Sequence, residues 1–318
     1  MLKPMKMKIA VTVDKFGDEA RKKLESYVQQ GYEVEYNING RKYTPDEARE
    51  FLISQNPDII IAGTEKYDAK MLNYCPNLRM ISRVGIGLDS VDLDECEKRG
   101  ITVVNTPDAP SNAVAELTIG QIFNSLRRIQ YTDRTIKDGG WERYVGREFS
   151  DCNLGIVGYG RVGKILARKT IYLAKNVYIN DIDPEQLIKK ENRAIISDFE
   201  NILRECDIVT LHIPLNERNR NLISRRELEL MKKDAVLINT SRGGIVNENE
   251  LYEWLSQNKD FSTVIDVFEQ EPYKGKLREL KNCYLTPHLG SCSEKSRYEM
   301  EMGAVENVER FLSRDEKC

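Results

Sequence analysis

Residues 153–184 read NLGIVGYGRVGKILARKTIYLAKNVYINDIDP, and this stretch decides the fold. The apolar run 154–157 is short and bounded by glycine, which is typical of a buried strand. Gly158, Gly160 and Gly163 follow, and the next segment has the length of a helix. In this pattern the first glycine permits a tight turn, the second lets a pyrophosphate approach the backbone, and the third allows close helix–strand packing. The stretch therefore predicts a strand–turn–helix unit that binds phosphate at the amino end of the helix.

The second half of the stretch completes a dinucleotide-binding pattern. A second apolar strand, 177–179, is followed by Asp181, which lies 23 residues after Gly158. A carboxylate there accepts hydrogen bonds from an adenosine ribose and repels a 2′-phosphate, so the pattern predicts NAD rather than NADP. Lys189 and Lys190 come later, where we expect the following helix. The alternative, a glycine-rich turn in another kind of α/β unit, does not account for the second strand and its terminal acid.

Composition and charge exclude several classes of protein. The 318 residues allow two domains, and 40% hydrophobic with 31% charged residues is typical of a soluble globular chain. The net charge of −3 offers no basic field, so we expect neither nucleic acid nor membrane as a partner. The seven cysteines are scattered and form no CxxC pair, which favours a reduced, cytoplasmic protein without a metal site. The start, MLKPMKMKIAVTVD, has too short an apolar run for a signal peptide.

Strands and helices alternate along the chain, which predicts parallel sheets covered by helices on both faces. The expected strands are 8–13, 33–36, 59–62, 80–84, 101–104, 154–157, 177–179, 194–196, 208–212, 235–239, 263–267 and 284–286. The expected helices lie near 18–29, 45–55, 68–74, 91–98, 112–135 and 293–312, with a polar, glycine-containing connector after residue 135. The fold class is therefore α/β, with two doubly wound parallel-sheet domains.

Unusual residues cluster where the predicted strands end. In an open parallel sheet, ligands bind outside the carboxyl ends of the strands. The segments found there are Gly158, Asp181, 212–214, 241–244, Asp266 and 287–290 in the second series, and 83–87 and 105–107 in the first. We expect two such edges to face each other across a cleft, the usual place for a ligand between domains.

Three residue types at these strand ends have the chemistry of an active site. The chain has two histidines, so a general acid/base with an ordinary pKa near neutrality is His212 or His288. Glu271 could fix the imidazole tautomer, and Arg242 could clamp a carboxylate and polarise a neighbouring carbonyl. Each of these residues also has a structural interpretation, as a core histidine or an Arg-Gly-Gly turn. Their shared position at the edge that carries the dinucleotide pattern favours function.

With these motifs the sequence resembles the D-isomer-specific 2-hydroxyacid dehydrogenases, and among them most closely the phosphoglycerate dehydrogenases. The resemblance covers nearly the whole chain. The matching segments are SRVGIGLDSVD, VVNTPDAPSNAVAE, GREFSDCNLGIVGYGRVG, VTLHIPLNERNRNLI, LINTSRGGIVNENELYEWL, TVIDVFEQEP and YLTPHLGS. The chain ends at Cys318, so we expect the short form of the family, without the C-terminal regulatory domain of longer relatives.

The resemblance implies a flavodoxin-like substrate-binding domain of residues 1–105 plus 289–318, into which a Rossmann NAD-binding domain of residues 106–288 is inserted. It implies Arg242, Glu271 and His288 as catalytic residues. It also implies that Asp266 contacts the nicotinamide carboxamide and that the backbone N–H groups of Val84, Gly85 and Ile86 bind the substrate carboxylate, together with Arg242 and His288. The expected cofactor-binding residues are Gly158, Gly160, Arg161, Val162, Gly163, Asp181, His212, Pro214, Thr240, Ser241, Asp266 and Gly290.

Departures from the family pattern bear on the substrate. Phosphoglycerate dehydrogenases usually carry an arginine just after the third strand, where this chain has Ala62-Gly63-Thr64. Lys66 or Arg83 could partly replace it. We therefore expect a small or medium D-2-hydroxy acid, or the matching 2-keto acid, as substrate, with 3-phosphoglycerate a poor one.

Three functions remain open on this fold. The first is an NAD-dependent dehydrogenase, a homodimer joined through its NAD domains by the long helix 112–135 and the connector with Trp141. The second is a dinucleotide-sensing binding protein or corepressor that retains the catalytic residues. The third keeps the fold but oxidises an inorganic anion such as phosphite. No extra partner-binding segment is visible in the sequence, which favours the enzyme.

Overall fold

The computed structural model of the protein describes residues 7–188 and 190–315. The chain divides into two compact units. The first unit contains the described residues up to Pro110 and those from Ser293 onward, and the second unit is Ser111–Cys292. The sequence predicts the same order of segments, with crossings after residues 105 and 288.

The first unit contains, within the described residues, a parallel sheet of five strands in the order β2-β1-β3-β4-β5. These strands are β1 Lys8–Val11, β2 Glu33–Tyr36, β3 Ile59–Ala62, β4 Met80–Arg83 and β5 Thr102–Val104. The helices between them are α1 Asp18–Gln29, α2 Pro45–Gln55, α3 Ala69–Leu72 and α4 Leu93–Lys98. This order is the flavodoxin-like one, and its switch point lies between β1 and β3.

The last helix of the chain, Glu294–Asp315 (α12), returns to the first unit. Met300, Ala304, Val305 and Val308 are buried among the apolar side chains of α1, β1 and β3. The hydroxyl of Ser82 in β4 donates to the carbonyl of Ala304 (2.9 Å). One apolar face of the helix therefore completes the core of a unit whose other elements lie at the opposite end of the sequence.

The second unit contains, within the described residues, a parallel sheet of seven strands in the order β12-β11-β10-β9-β6-β7-β8. The strands are β6 Asn153–Val157, β7 Asn176–Asn180, β8 Ile195–Ile196, β9 Ile208–Leu211, β10 Val236–Asn239, β11 Ser262–Ile265 and β12 Cys283–Leu285. The helices are α5 Ser111–Arg127, α6 Ile129–Lys137, α7 Arg161–Thr170, α8 Pro184–Ile188, α9 Phe199–Glu205, α10 Arg225–Leu230 and α11 Glu248–Gln257. The 3₁₀ turns are Phe149–Asp151 and Lys276–Glu279. The strand order is that of a Rossmann fold, which confirms the predicted fold class of two doubly wound parallel-sheet domains.

Two details of the predicted elements are corrected by the structure. The single helix predicted for 112–135 is interrupted at Arg128, whose backbone is left-handed (φ 49°). The side chain of Asn124 accepts the N–H of Gln130 (2.9 Å), and the carbonyl of Leu126 accepts the N–H of Arg147 in the connector. The interruption therefore depends on a tertiary contact as well as on local sequence.

The second correction concerns the lysines after Asp181. Helix α8 ends at Ile188, so Lys190 follows the helix rather than lying on it. Lys189 lies outside the described residues. No described helix is both long enough and apolar enough to cross a lipid bilayer.

Candidate active site

The glycine turn after β6 is held closed by its neighbours. Gly158 has φ +96°, and a Cβ there would lie 2.4 Å from the carbonyl oxygen of His212. A Cβ on Gly163 would lie 2.1 Å from the carbonyl oxygen of Gly158, so α7 packs directly on the turn. A Cβ on Gly160, in contrast, would meet no atom within 4 Å. Two glycines therefore serve close packing, and the middle one leaves space beside the backbone for a ligand.

The amino end of α7 adjoins this space. The N-cap of α7 is Gly160, and among the described residues no side chain caps this end. Arg161 begins the helix, and Val162 is partly buried against the core. Helix N–H groups without a side-chain cap, next to an open glycine, fit the pyrophosphate of a dinucleotide.

Asp181, directly after β7, lies beside the same turn. Its carboxylate accepts the N–H of Tyr159 (2.6 Å) and the N–H of Asp183 (2.9 Å). Ile182 is 97% exposed next to it. Each carboxylate oxygen has a further lone pair, so Asp181 is held in place with capacity left for ribose hydroxyls. The residues around the glycine turn thus fit an adenine dinucleotide.

Four more of the predicted cofactor residues lie at the ends of β9 and β10. His212 Nε2 is 3.0 Å from the hydroxyl of Thr210, and burial lowers the pKa of His212 to about 3. Its imidazole is therefore neutral near pH 7, which does not suit a proton carrier at that pH. Pro214 is exposed, whereas Thr240 and Ser241 are buried.

Glu271 and His288 form a direct pair. Nδ1 of His288 lies 3.0 and 2.9 Å from the two carboxylate oxygens of Glu271. Their side chains are 35% (Glu271) and 47% (His288) exposed. The contact to Nδ1 leaves Nε2 as the nitrogen that can exchange a proton with a ligand.

The loop that carries His288 is fastened to the end of β11. Asp266 is fully buried, and its carboxylate accepts the hydroxyl of Thr286 (2.6 Å), the N–H of Leu289 (2.7 Å) and the N–H of Gly290 (2.9 Å). The resemblance implied a contact from Asp266 to the nicotinamide carboxamide. In the structure, both of its oxygens accept hydrogen bonds from the His288 loop, and the carboxamide contact stays a prediction.

Arg242 lies in a tight turn after β10. The side chain of Asn239 donates to the carbonyl of Arg242 (2.8 Å) and accepts the N–H and hydroxyl of Ser241 (3.1 and 2.7 Å). The guanidinium of Arg242 donates back to the carbonyl of Ser241 (2.7 Å). Asn239 is not among the site residues predicted from the sequence. Its position at a strand end, before Thr-Ser, is one where Asn favours a turn.

The Arg242 turn is packed against the loop that carries Glu271. A Cβ on Gly243 would lie 2.0 Å from the carbonyl oxygen of Phe268. The N–H of Phe268 donates to Glu271 (3.2 Å), and the N–H of Glu269 donates to Glu248 (2.9 Å). Arg242, Glu271 and His288 therefore belong to three loops that contact one another at one edge of the second unit.

The predicted substrate loop, Val84-Gly85-Ile86, lies in the first unit after β4. Val84 donates its N–H to Ala62 (3.0 Å), and Gly85 donates its N–H to the hydroxyl of Thr106 (2.8 Å). Two of the three N–H groups expected to bind a carboxylate are therefore engaged within the protein. The carbonyl of Ile86 accepts the side chain of Asn105 (2.6 Å). Because the N–H groups of Val84 and Gly85 are engaged, the N–H of Ile86 is the candidate donor to a substrate carboxylate.

No group of three metal-ligating side chains is found among residues 7–188 and 190–315.

Comparisons with known proteins identify the family to which the chain is similar. The family model for the NAD binding domain of D-isomer specific 2-hydroxyacid dehydrogenases matches residues 119–290. The glyoxylate reductase of Thermococcus litoralis is 34% identical over 263 residues, covering 80% of each chain. The D-3-phosphoglycerate dehydrogenase of Methanocaldococcus jannaschii is 32% identical over 273 residues, which are 85% of this chain and 52% of that protein. This chain thus spans about half of that relative.

Among solved structures, the NAD⁺-bound 3-phosphoglycerate dehydrogenase of Entamoeba histolytica matches with a TM-score of 0.79 and 25% identity. The match covers 97% of this chain and 96% of that one. A dinucleotide turn, an acidic residue at the end of the second strand and a Glu–His pair thus occur in a chain that matches these proteins over most of its length. The chain belongs to the D-isomer specific 2-hydroxyacid dehydrogenase family and is an NAD-dependent oxidoreductase.

Proposed function

We propose that this enzyme interconverts small, unphosphorylated 2-keto acids and D-2-hydroxy acids, with Arg242, Glu271 and His288 as its catalytic residues. The observation that carries the proposal is the pair of 2.9 and 3.0 Å contacts between His288 Nδ1 and the Glu271 carboxylate. A carboxylate on Nδ1 fixes the ring and leaves Nε2 to exchange a proton. Proton exchange next to a hydride donor is what the interconversion of a ketone and an alcohol requires.

Each catalytic residue has a separate task. His288 donates the proton that the carbonyl oxygen takes up on reduction and removes it again on oxidation. Glu271 stabilises the imidazolium and holds the ring by its Nδ1. NADH, when bound, supplies the hydride that reaches C2 of the substrate.

Arg242 binds the substrate. Its guanidinium can hold a carboxylate by two parallel hydrogen bonds, and its charge polarises a carbonyl beside that carboxylate. The Asn239 contacts fix the turn from which the side chain projects. Val84, Gly85 and Ile86 are included in the proposed substrate-binding set because the family resemblance implies them.

The dinucleotide is bound by the glycine turn and the strand ends beside it. Gly160 leaves room for the pyrophosphate, Asp181 holds the adenosine ribose, and His212 with Pro214 lines the groove. The remaining residues of this proposed set are Gly158, Arg161, Val162, Gly163, Thr240, Ser241, Asp266 and Gly290. Of these, Asp266 also binds the loop that carries His288.

The substrate proposal rests on the end of β3. Ala62-Gly63-Thr64 offers no guanidinium to a phosphate. The loss of one charge-assisted hydrogen bond is worth about 1.5–3 kcal/mol, or roughly ten- to a hundred-fold in binding. One matched relative is named a glyoxylate reductase and the other a phosphoglycerate dehydrogenase. The missing arginine favours an unphosphorylated acid over a phosphorylated one.

A substrate panel tests this proposal. Glyoxylate, hydroxypyruvate and 3-phosphohydroxypyruvate are offered with NADH, and oxidation is followed by the absorbance of the reduced nicotinamide. We expect kcat/KM to be highest for an unphosphorylated acid. A preference for 3-phosphohydroxypyruvate would show that Lys66 or Arg83 replaces the arginine. Inactivity on the whole panel, with NADH binding intact, would favour a dinucleotide-sensing protein.

The proposed assembly is a homodimer joined through the NAD domains. In α6 and the connector, Ile129, Ile136, Trp141 and Val145 are 53%, 57%, 80% and 92% exposed. Arg147 fastens the far end of the connector to Asp207 and Asp234. Several exposed apolar side chains on one anchored segment are suited to contact with a second copy of the chain. Light scattering should give twice the 36.7 kDa chain mass, and Trp141→Ser with Ile136→Ser should shift it to the monomer.

The proposed location is the cytoplasm. No disulfide joins the cysteines within the described residues, and five of them are buried. Burial raises the pKa of the Cys75 thiol to about 11 and that of Cys206 to about 12. Buried thiols with raised pKa values are unreactive. Cysteines that form no disulfide are typical of a reducing compartment. Cell fractionation that places the protein outside the cytoplasm would contradict this assignment.

A further inference from the structure

Asp266 is a fully buried acid to which the proton transfer described above gives no task. It lies one residue after β11, and its carboxylate accepts three hydrogen bonds from the segment 286–290. Two of the donors are the backbone N–H groups of Leu289 and Gly290, the residues directly after His288. Charge-assisted bonds of this kind are stronger than neutral ones and fix geometry.

The backbone of the same strand end reinforces the attachment. The N–H of His288 donates to the carbonyl of Asp266 (2.9 Å), and the N–H of Thr286 donates to the carbonyl of Ile265 (3.1 Å). Between these contacts His288 has φ 54°, a left-handed conformation that costs a non-glycine residue energy. Such a conformation persists only where the surroundings determine it.

We propose that Asp266 is the positioning residue of His288: its carboxylate fixes the left-handed turn that aims the imidazole at the substrate carbonyl. This inference rests on the proposed role of His288 as proton carrier. Asp266 itself touches neither substrate nor reacting atoms. Its effect on the reaction passes through the position of His288 alone.

The competing role for Asp266 is a direct contact to the nicotinamide carboxamide. Its side chain has no exposed surface, Oδ1 accepts two donors, and Oδ2 accepts the N–H of Gly290. Three accepted hydrogen bonds to one loop favour the positioning role, although Oδ2 keeps a second lone pair. The two roles differ in what a substitution does to cofactor binding.

Asp266→Asn separates the two roles. An amide has one oxygen, whereas the pocket presents donors to both positions. If the amide oxygen faces Thr286 and Leu289, its NH₂ group meets the N–H of Gly290. If it faces Gly290, the NH₂ group meets the other two donors. Either way donors oppose one another, and the loop must shift.

The decisive test is a double-mutant cycle with His288→Asn. Asparagine is chosen at 288 because it tolerates the left-handed backbone better than alanine does. In the wild-type background, Asp266→Asn should lower kcat about 10- to 100-fold, the scale of a 1 Å misplacement. In the His288→Asn background, the same substitution should change kcat less than about twofold, since no imidazole remains to misplace. Equal losses in both backgrounds would overturn the proposal.

Two further readouts separate positioning from general damage. NADH affinity, measured by fluorescence titration, should stay within about twofold in Asp266→Asn, whereas loss of a cofactor contact would weaken it about tenfold or more. The solvent deuterium isotope effect on kcat should increase, because proton delivery from a misplaced imidazole becomes slow. A weakened NADH affinity with an unchanged isotope effect would establish the competing role.

A matched control lies on the same strand. Thr263→Val removes a buried hydroxyl bond to the carbonyl of Leu237 (2.9 Å) in β11, away from the strand end. It should lower the melting temperature and leave kcat and the isotope effect unchanged. If Asp266→Asn does not fold, Thr286→Val removes one of the three donors and should give a smaller kcat loss that also vanishes with His288→Asn.

Failure of this inference is distinguishable from failure of the proposed function. If the wild-type enzyme reduces no 2-keto acid, or His288→Asn retains its activity, the role of His288 itself is wrong. If the wild type is active and His288→Asn is not, while Asp266→Asn behaves as wild type, only the positioning role is wrong.

Discussion

At the carboxyl edge of the β6–β12 sheet, His288 and Glu271 have 47% and 35% of their side chains exposed. At the carboxyl edge of the β1–β5 sheet, Thr12 and Tyr67 are fully buried and Glu65 is 6% exposed. Both sets of polar residues lie at the carboxyl ends of parallel strands, which is where ligands usually bind. The comparison shows that edge position alone does not make a site: the polar groups must also remain accessible.

The polar groups of the first unit bind one another. The hydroxyl of Thr12 donates to Glu65 (2.9 Å), Tyr67 OH lies 2.8 Å from the Thr12 hydroxyl, and the N–H of Gly63 donates to Thr12 (3.0 Å). These residues follow β1 and β3, the strands on either side of the switch point. The crevice at the switch point of this unit is therefore filled by its own side chains.

In the second unit the corresponding polar groups bind loops instead. Asp266 and Asn239, which end adjacent strands, accept or donate to the backbone of the His288 and Arg242 loops. This arrangement fixes the loops and leaves the imidazole and its partner carboxylate partly exposed. If accessibility decides function, substitutions of the exposed groups should change the reaction more than substitutions of the buried ones.

The largest effect is expected at the exposed histidine. His288→Asn should lower kcat for keto-acid reduction about 10²–10⁴-fold, because no group remains to deliver the proton. The NADH dissociation constant from fluorescence titration should change little, since the glycine turn and Asp181 are untouched. Stopped-flow absorbance of the reduced nicotinamide measures the loss.

The matched variant is His212→Asn at the partly buried histidine. It should weaken NADH binding more than it slows proton transfer, because His212 lines the glycine turn and is neutral near pH 7. If His212→Asn abolishes kcat and His288→Asn does not, His212 is the proton carrier. Greater exposure would then not identify the catalytic histidine.

The second effect is on stability and concerns His212 again. Burial lowers the pKa of His212 to about 3, below its ordinary value of 6.5. Between those values the unfolded chain binds a proton that the folded protein does not, so the native state loses stability as the pH falls below 6.5. At pH 4.5, two units below 6.5, the loss is about 3 kcal/mol. Urea titrations at pH 7 and 4.5 should show less acid destabilisation in His212→Gln than in the wild type.

Thr210→Val is the control for this prediction. It removes the hydroxyl beside Nε2 but keeps the imidazole. Its acid destabilisation should therefore resemble that of the wild type. Identical pH dependence in the wild type and His212→Gln would mean that His212 is solvated enough to titrate normally.

The features of the site that could be predicted from the sequence are those formed by residues close together in the chain. The glycine turn and Asp181 follow from a strand, a helix and a second strand in one stretch of 32 residues. His288 was one of two candidates, and its proximity to Glu271 came from a family resemblance. The sequence alone could not decide between the histidines, because the burial that lowers the pKa of His212 depends on neighbours from other strands.

The parts that could not be predicted depend on distant contacts. Thr12 and Glu65 are 53 positions apart in the chain, and Asp266 binds residues 23 and 24 positions away. The break at Arg128 involves the connector near Arg147. Periodicity and spacing carry no information on which side chain accepts which N–H across such separations.

The third effect concerns Asp181, a carboxylate that is held but accessible. Asp181→Asn should lower the preference for NADH over NADPH, expressed as the ratio of kcat/KM values, by about tenfold, since the like charge facing a 2′-phosphate is removed. Only NADH carries the ribose 2′-hydroxyl that donates to this carboxylate, so a weaker hydrogen bond there shifts the ratio in the same direction. Steady-state kinetics with both cofactors measures it.

Asp183→Asn is the control for this prediction. Asp183 also accepts two hydrogen bonds, from the N–H of Glu185 and the side chain of Gln186. Its loss should leave the cofactor ratio unchanged. Equal changes in both variants would mean that net charge, rather than a contact from Asp181, selects the cofactor.

The smallest effect is expected at the buried cluster of the first unit. Burial raises the pKa of Glu65, and the hydroxyl of Thr12 and the charges of Lys42 and Arg83 offset part of that effect. The folded protein therefore holds this proton more tightly than the unfolded chain does. Stability gained by this group is present at low pH and is lost as the pH rises through the raised pKa.

Glu65→Gln removes this titration while keeping the shape of the side chain and an acceptor for Thr12. The free energy of unfolding should fall less between pH 5 and pH 8 in the variant than in the wild type. Urea titrations at the two pH values measure the difference. Activity on the preferred keto acid should be unchanged, because the cluster is closed on itself. A large loss of kcat/KM in Glu65→Gln with normal stability would show that the buried edge takes part in the reaction after all.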